Sequence, residues 1–150
     1  MKKTDLWFVA LALVVSGCAP QEVRNLTAAR QDCPGQSCDL VVYVSGDPAL
    51  GAPVVVVDYA ELKLKKGERK VEIVWKLEAK GYEFTSDSIQ PKADSVQAWA
   101  SQISNPKNSK YRFIVENAND KPFTMNYSIS VYHPALRKTF KLDPAIINDP

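Results

Sequence analysis

From Asp39 onward the chain alternates apolar and polar residues with a period of two, interrupted every few residues by turn formers. That period sets one face of a β-strand against a core and leaves the other in water, as in an antiparallel sheet. The clearest run begins with Leu62 and Leu64, which alternate with Glu61, Lys63 and Lys65. It resumes with Val71, Ile73, Trp75 and Leu77, alternating with Glu72, Lys76 and Glu78; only Val74 breaks the polar set. Lys66-Gly67-Glu68-Arg69 between them reads as a turn. Asp39–Ser45 predicts a strand, and Val54–Val57, apolar on both faces, predicts a central or covered one. Lys80-Gly81 turns the chain into Tyr82–Thr85. Later, Tyr111, Phe113 and Val115 alternate with Arg112 and Glu116, and Met125, Tyr127, Ile129 and Val131 alternate with Asn126, Ser128 and Ser130.

The segment 86–110 lacks this period. Val96, Trp99, Ala100 and Ile103 fall at helical spacing behind Asp94 and Ser95, residue types that cap helices, so a short helix is predicted over 95–103. Ser104–Ser109, with Asn105 and Pro106, reads as the stretch that stops it. Gly46–Pro53 and Asn117–Pro122 read as loops, and Thr139–Leu142 as a final strand before Asp143-Pro144. Seven or eight short strands at this spacing predict an all-β fold: an antiparallel β-sandwich of immunoglobulin-like architecture with one short helix. The Cys…Trp…Cys core signature of antibody domains is absent.

The amino terminus follows a different rule. Lys2 and Lys3 precede an unbroken apolar run, Leu6–Val15, which has signal-peptide length and is too short to span a bilayer. Val15-Ser16-Gly17-Cys18 closes that run and resembles the lipobox of bacterial lipoproteins: aliphatic, small, small, cysteine. The resemblance covers about the first 20 residues. It implies diacylglyceryl transfer to the Cys18 thiol, cleavage before Cys18, and acylation of the new amino group. Ala19, in place of aspartate, resembles the sorting pattern for an outer membrane. The expected organisation is then a signal peptide (1–17), a lipidated tether (18–32) and one β-sandwich domain (33–150), anchored by lipid and facing the periplasm.

Charge and cysteines narrow the picture further. The chain has 19 basic and 17 acidic residues, and without Lys2, Lys3 and Asp5 the balance is 17 to 16. A charge so near zero gives no electrostatic case for nucleic acid. With Cys18 assigned to lipid, Cys33 and Cys38 remain as an even pair in an oxidising compartment. Pro34-Gly35 between them folds the chain back, which predicts a structural disulfide. A redox-active pair would favour two intervening residues, where this pair has four.

Candidate chemistry is sparse. His133 is the one histidine. A copper site built with Met125 and a cysteine would need a second histidine, and zinc chemistry is equally unsupported, so no metal or cofactor is expected. The serines lie on wet strand faces or in loops without a Gly-x-Ser-x-Gly elbow. Asp87 and Asp94 are the acid pair to weigh for glycoside hydrolysis. Among Trp75, Tyr82, Trp99, Tyr111 and Tyr132, Trp75 falls on the buried register, Trp99 reads as a plug over one end, and Tyr132 falls on the wet face. Tyr132 and Trp99 are therefore the candidate binding residues. The expected role is non-catalytic binding or assembly at the cell envelope, with an envelope protein or peptide as partner and strand addition at a sheet edge as one mode. An inhibitor or immunity factor inserting Gly46–Pro53 or Asn117–Pro122 into a hydrolase is the alternative, and an envelope enzyme a third.

Overall fold

A computed structural model describes residues 30–148, apart from 34, 49, 51 and 52. The lipobox-like Val15-Ser16-Gly17-Cys18 lies outside the described residues. The described chain is an all-β sandwich of two sheets. Its strands are β1 (Arg30–Cys33), β2 (Ser37–Ser45), β3 (Val54–Val57), β4 (Glu61–Leu64), β5 (Val71–Leu77), β6 (Ile89–Pro91), β7 (Ile103–Ser109), β8 (Arg112–Asn117), β9 (Phe123–His133), β10 (Lys138–Leu142) and β11 (Ala145–Asn148). A 3-10 turn at Ala93–Ser95 leads into one helix, α1 (Val96–Gln102).

The first sheet is organised around β9. Leu142 opposes Ile129 and Ala145 opposes Asn126, so β10 and β11 continue one antiparallel register along the same side of β9. Pro144 has no N–H to give to that ladder, but its carbonyl accepts from the Tyr127 N–H at 3.1 Å. On the other side of β9, Ile89 also opposes Ile129, and Glu83 bridges to Tyr132. β4 joins β11 in parallel, and β1 joins β4 in parallel. The second sheet has the order β3-β2-β5-β8-β7, with β2 and β5 parallel and the other neighbours antiparallel.

Both sheets are therefore mixed, where the alternation predicts purely antiparallel ones. The turn at 65–70 gives the reason. β4 and β5 are not hairpin partners, because this turn carries the chain from the first sheet to the second, with Gly67 (φ 83°) and Lys70 (φ 57°) in the left-handed region. Further elements differ from expectation: Val54–Val57, expected central or covered, is the edge strand β3 with Val54 exposed, and Ile89–Pro91 in the aperiodic segment is strand β6. Residues 30–32 belong to β1, in the stretch assigned to the tether. Ser104–Ser109 is strand β7, a solvated edge with no buried face to impose alternation. The chain after Asp143-Pro144 inserts as β11 between β9 and β4 and buries Ile146. The Cys33–Cys38 disulfide joins β1 to β2 across the two sheets, with Cα atoms 5.7 Å apart.

The inward registers meet in one core. Trp75 of β5 is fully buried, packs edge-on against Phe113 and Tyr127, and donates its indole N–H to the Tyr127 hydroxyl at 3.2 Å. Leu40, Leu62, Leu64, Ile73, Met125, Ile129 and Ile146 fill the space around them. Val74 faces away from this core and is buried nonetheless, opposite Asp39 and Ile114 on the flanking strands.

The two ends of the sandwich differ. One end is closed by amides. Asn117 donates to Asn148 (2.9 Å), Asn148 donates to Gln102 (3.3 Å) and Asn117 (3.2 Å), and Gln102 donates to Asp120 (2.7 Å). The Asn119 N–H donates to Asn117 Oδ1 (2.8 Å), and its side chain donates to the carbonyls of Lys65 and Glu68. All four amides are buried. They tie together the ends of α1, β8 and β11 and the turn after β4. Buried polar groups are costly unless bonded, so these partners depend on one another, and only the Asn119 Oδ1 of the four amides is left without a partner.

Asn117→Ala removes the acceptor for two buried donors and is expected to cost about 2–3 kcal/mol, the penalty for orphaned buried polar groups. Urea unfolding checks this, and a loss below about 0.5 kcal/mol, the size of an ordinary surface substitution, would contradict the assignment.

Candidate functional site

His133 sits at the end of β9, where its Nδ1 accepts the Leu136 N–H at 3.3 Å and its ring meets Tyr82 edge-on at 4.8 Å. It staples the turn into β10. Met125 is in the core at the opposite end of β9, so the two do not approach. Among the described residues, no three of His, Cys, Asp and Glu gather where a metal ion would need them.

The acids also separate. Asp87 lies in an exposed turn, where Ser86 donates to it at 3.5 Å. Asp94 accepts from Asn126 (2.9 Å) and Ser95 (2.9 Å), and these hydrogen bonds hold its carboxyl below the ordinary range. Asp143, which the sequence pattern placed only after the final strand, lines one groove with Asp94. Lys92, Lys141, Asp94, Asp143, Ser128 and Gln90 line an open groove of about 570 Å³ beside β6 and β9. Partial burial would raise the Asp143 pKa, but the Lys92 ammonium at 3.1 Å and the Ser128 hydroxyl at 2.9 Å outweigh it and hold the acid ionised. A glycosidase needs one of its two acids raised so that it can give a proton. Here both are lowered. The groove presents fixed charges of both signs, which suits recognition of polar and charged groups.

Asp58 behaves in the opposite way. Burial raises its pKa, although its side chain accepts the Val41 N–H at 3.0 Å and continues the pairing of β2 with β3.

Tyr132 and Trp99 do not form one platform. Tyr132 is half-exposed on the outward face of β9, opposite Thr139 and Glu83. Trp99 is half-buried on α1 and leans on Tyr127, five residues along β9 and on its inward face. Of the two loops weighed for insertion, Asn117–Pro122 is pinned by the buried amides of Asn117 and Asn119. Only Gly46–Pro53 presents an apolar tip: Leu50 is 87% exposed, above a turn in which its N–H donates to the Asp47 carbonyl.

Leu50 belongs to a wider feature. The end of the sandwich away from the amides is built by the loop after β2, the turn at 79–82, the β7–β8 turn and the β9–β10 turn. Leu50, Tyr111 and Leu136 are exposed there, with Tyr43 and Val54 beside them on the β2–β3 hairpin. These are five of the seven large apolar residues exposed among the described residues. Edge strands offer less. β7 carries Pro106, Lys107 and a bulge with Asn105 at φ 53°, devices that oppose strand addition. β3 comes close to β10 at a corner of the sandwich.

An acid held ionised in the fold contributes stability that is present above its ordinary pKa of 3.8 and fades as pH falls through the lowered value. Asp143→Asn is therefore expected to lower the urea midpoint at pH 7 and to lower it less at pH 3. For Asp58 the sign reverses, because the folded state disfavours its charge. Asp58→Asn keeps an oxygen acceptor for Val41 and is expected to match or exceed the parent at pH 7. Midpoints at the two pH values check both, and equal shifts at pH 3 and pH 7 would contradict them.

No protein-family model matches this chain, and a search of curated proteins gives no significant match.

Proposed function

We propose that this chain is a lipid-anchored binding or assembly module of the bacterial cell envelope, held at Cys18 and facing the periplasm. The lipobox-like Val15-Ser16-Gly17-Cys18 supports the anchor, and the Cys33–Cys38 disulfide fits the oxidising compartment that the anchor implies. The observation that carries the binding role is the groove at Lys92, Lys141, Asp94 and Asp143. Lys92 and Asp143 are ion-paired, Asp94 is hydrogen-bonded, and Lys141 adds a further positive charge, so the groove is suited to recognise a polar partner surface. The partner class is an envelope protein or peptide carrying both charge signs.

A second reading, an inhibitor that inserts a loop into an envelope hydrolase, is favoured by one observation, the exposed Leu50 tip.

Site-specific photo-crosslinking in intact cells tests the module. A crosslinker at Gln90 or Lys141 is expected to capture one discrete partner in the membrane fraction, and Lys141→Glu is expected to weaken the adduct of the Gln90 probe several-fold. An adduct formed only from position 50, with a hydrolase, would favour the inhibitor reading.

A further inference from the structure

The apolar end described above is exposed in a way that the groove does not use. We infer that it is a membrane-contact face, on which the domain lies against an anionic lipid surface while the groove stays open to the periplasm. This rests on the proposed anchor at Cys18.

Three observations converge. The first is the distribution of apolar side chains. Leu50 (87% exposed), Tyr111 (57%) and Leu136 project from three different loops of one end, whereas the opposite end is closed by the bonded amides. Exposed apolar residues gathered at one end mark a surface that another phase covers. The loops are mutually braced, since Tyr82 packs against His133, lies near Asp47, and Phe84 bonds to the carbonyl of Lys110.

The second is charge. The loops and adjoining strand ends here carry Lys80, Lys110, Arg112, Arg137 and Lys138 against Asp47, Glu78 and Glu83, the last ion-paired with Lys110 at 3.2 Å. Basic side chains ringing apolar tips are the composition of an interfacial contact with anionic headgroups. The amide end is also basic, through Lys65, Lys66, Arg69, Lys70 and Lys121, and exposes Phe123 (36%) beside Lys121, but it has nothing to match Leu50 and Tyr111.

The third is chain direction and reach. Arg30 lies in a row with Glu61, Ala145 and Asn126, and β1 runs from there toward the amide end. The chain therefore enters β1 from the side of the exposed tips. From the level of Asn126 to that of His133 is seven residues of β9, about 23 Å at 3.3 Å per residue. The 12 residue steps from Cys18 to Arg30 extend to about 40 Å at most. A tether running that way leaves the apolar end within roughly 17 Å of the lipid even when fully extended. An anchor of this length permits contact and does not permit the domain to stand far off.

The test uses the full lipidated protein, purified from its membrane and reconstituted in vesicles of phosphatidylethanolamine and phosphatidylglycerol. An environment-sensitive fluorophore is attached through Leu50→Cys or, at the amide end, through Glu68→Cys; Cys33 and Cys38 are protected as a disulfide. Brominated lipids are expected to quench the position-50 probe at least twofold more than the position-68 probe. Leu136→Asp combined with Arg137→Glu is expected to abolish that difference while the protein still floats with the vesicles. Flotation with no difference between the two probes would overturn the contact face and leave the anchor standing. A position-50 probe that shifts only when envelope proteins are added, without bromolipid quenching, would overturn it in favour of a protein partner. Failure of the parent chain to float would overturn the anchor itself and, with it, this face.

Discussion

The hydrogen bond from the Trp75 indole to the Tyr127 hydroxyl is the point on which the two sheets are keyed together. Trp75 lies on β5, the central strand of its sheet, and Tyr127 on β9, around which the other sheet is built, and both are buried. A buried indole N–H without an acceptor costs free energy that the apolar contacts around it would have to offset. Burial in turn raises the Tyr127 pKa and keeps the phenol neutral. The pair thus fixes which residues of β5 and β9 face each other. Around that pair stand the edge-on packing of Phe113 on Trp75 and the tilted contact of Trp99 with Tyr127.

A sandwich closed this way has two unlike ends. Amides that bond one another seal one end, so its loops are positioned by the interior. At the other end, loops of several connections project apolar tips that no described part of the chain covers. The polar groove lies along the side, beside β6 and β9. Under the proposed anchoring, the three surfaces divide the work: the braced end gives rigidity, the apolar end meets lipid, and the groove faces partners.

Much of the core was legible in the sequence, because period-two alternation reports which side chains turn inward. Trp75, Tyr127, Met125 and Ile129 are buried as their registers require, and Tyr132 is turned outward. Alternation carries no information on strand direction, so the parallel pairing of β2 with β5 and of β4 with β1 and β11 left no mark. β7 was hidden because a solvated edge needs no apolar face, and Asn105 and Pro106 at its bulge look like a loop. The amide network was hidden for a related reason. Asn117, Asn119 and Asn148 have the composition of solvent-facing turns, and only their convergence with Gln102 shows them to be interior. The groove pairs Lys92 with Asp143 across 51 positions of sequence, a contact that spacing alone does not announce. Of the exposed tips only the Gly- and Pro-rich loop 46–53 was legible; Leu50, Leu136 and Tyr111 acquire meaning only from sharing an end.

The central claim is the lipid anchor, because compartment, disulfide and membrane face are all argued from it. Intact mass of the protein taken from its native membrane tests it most directly. The account predicts a chain that begins at Cys18, carries acyl groups on that residue, and lacks two hydrogens for the Cys33–Cys38 bond. A chain retaining residues 1–17, or one cut there without lipid, would contradict it.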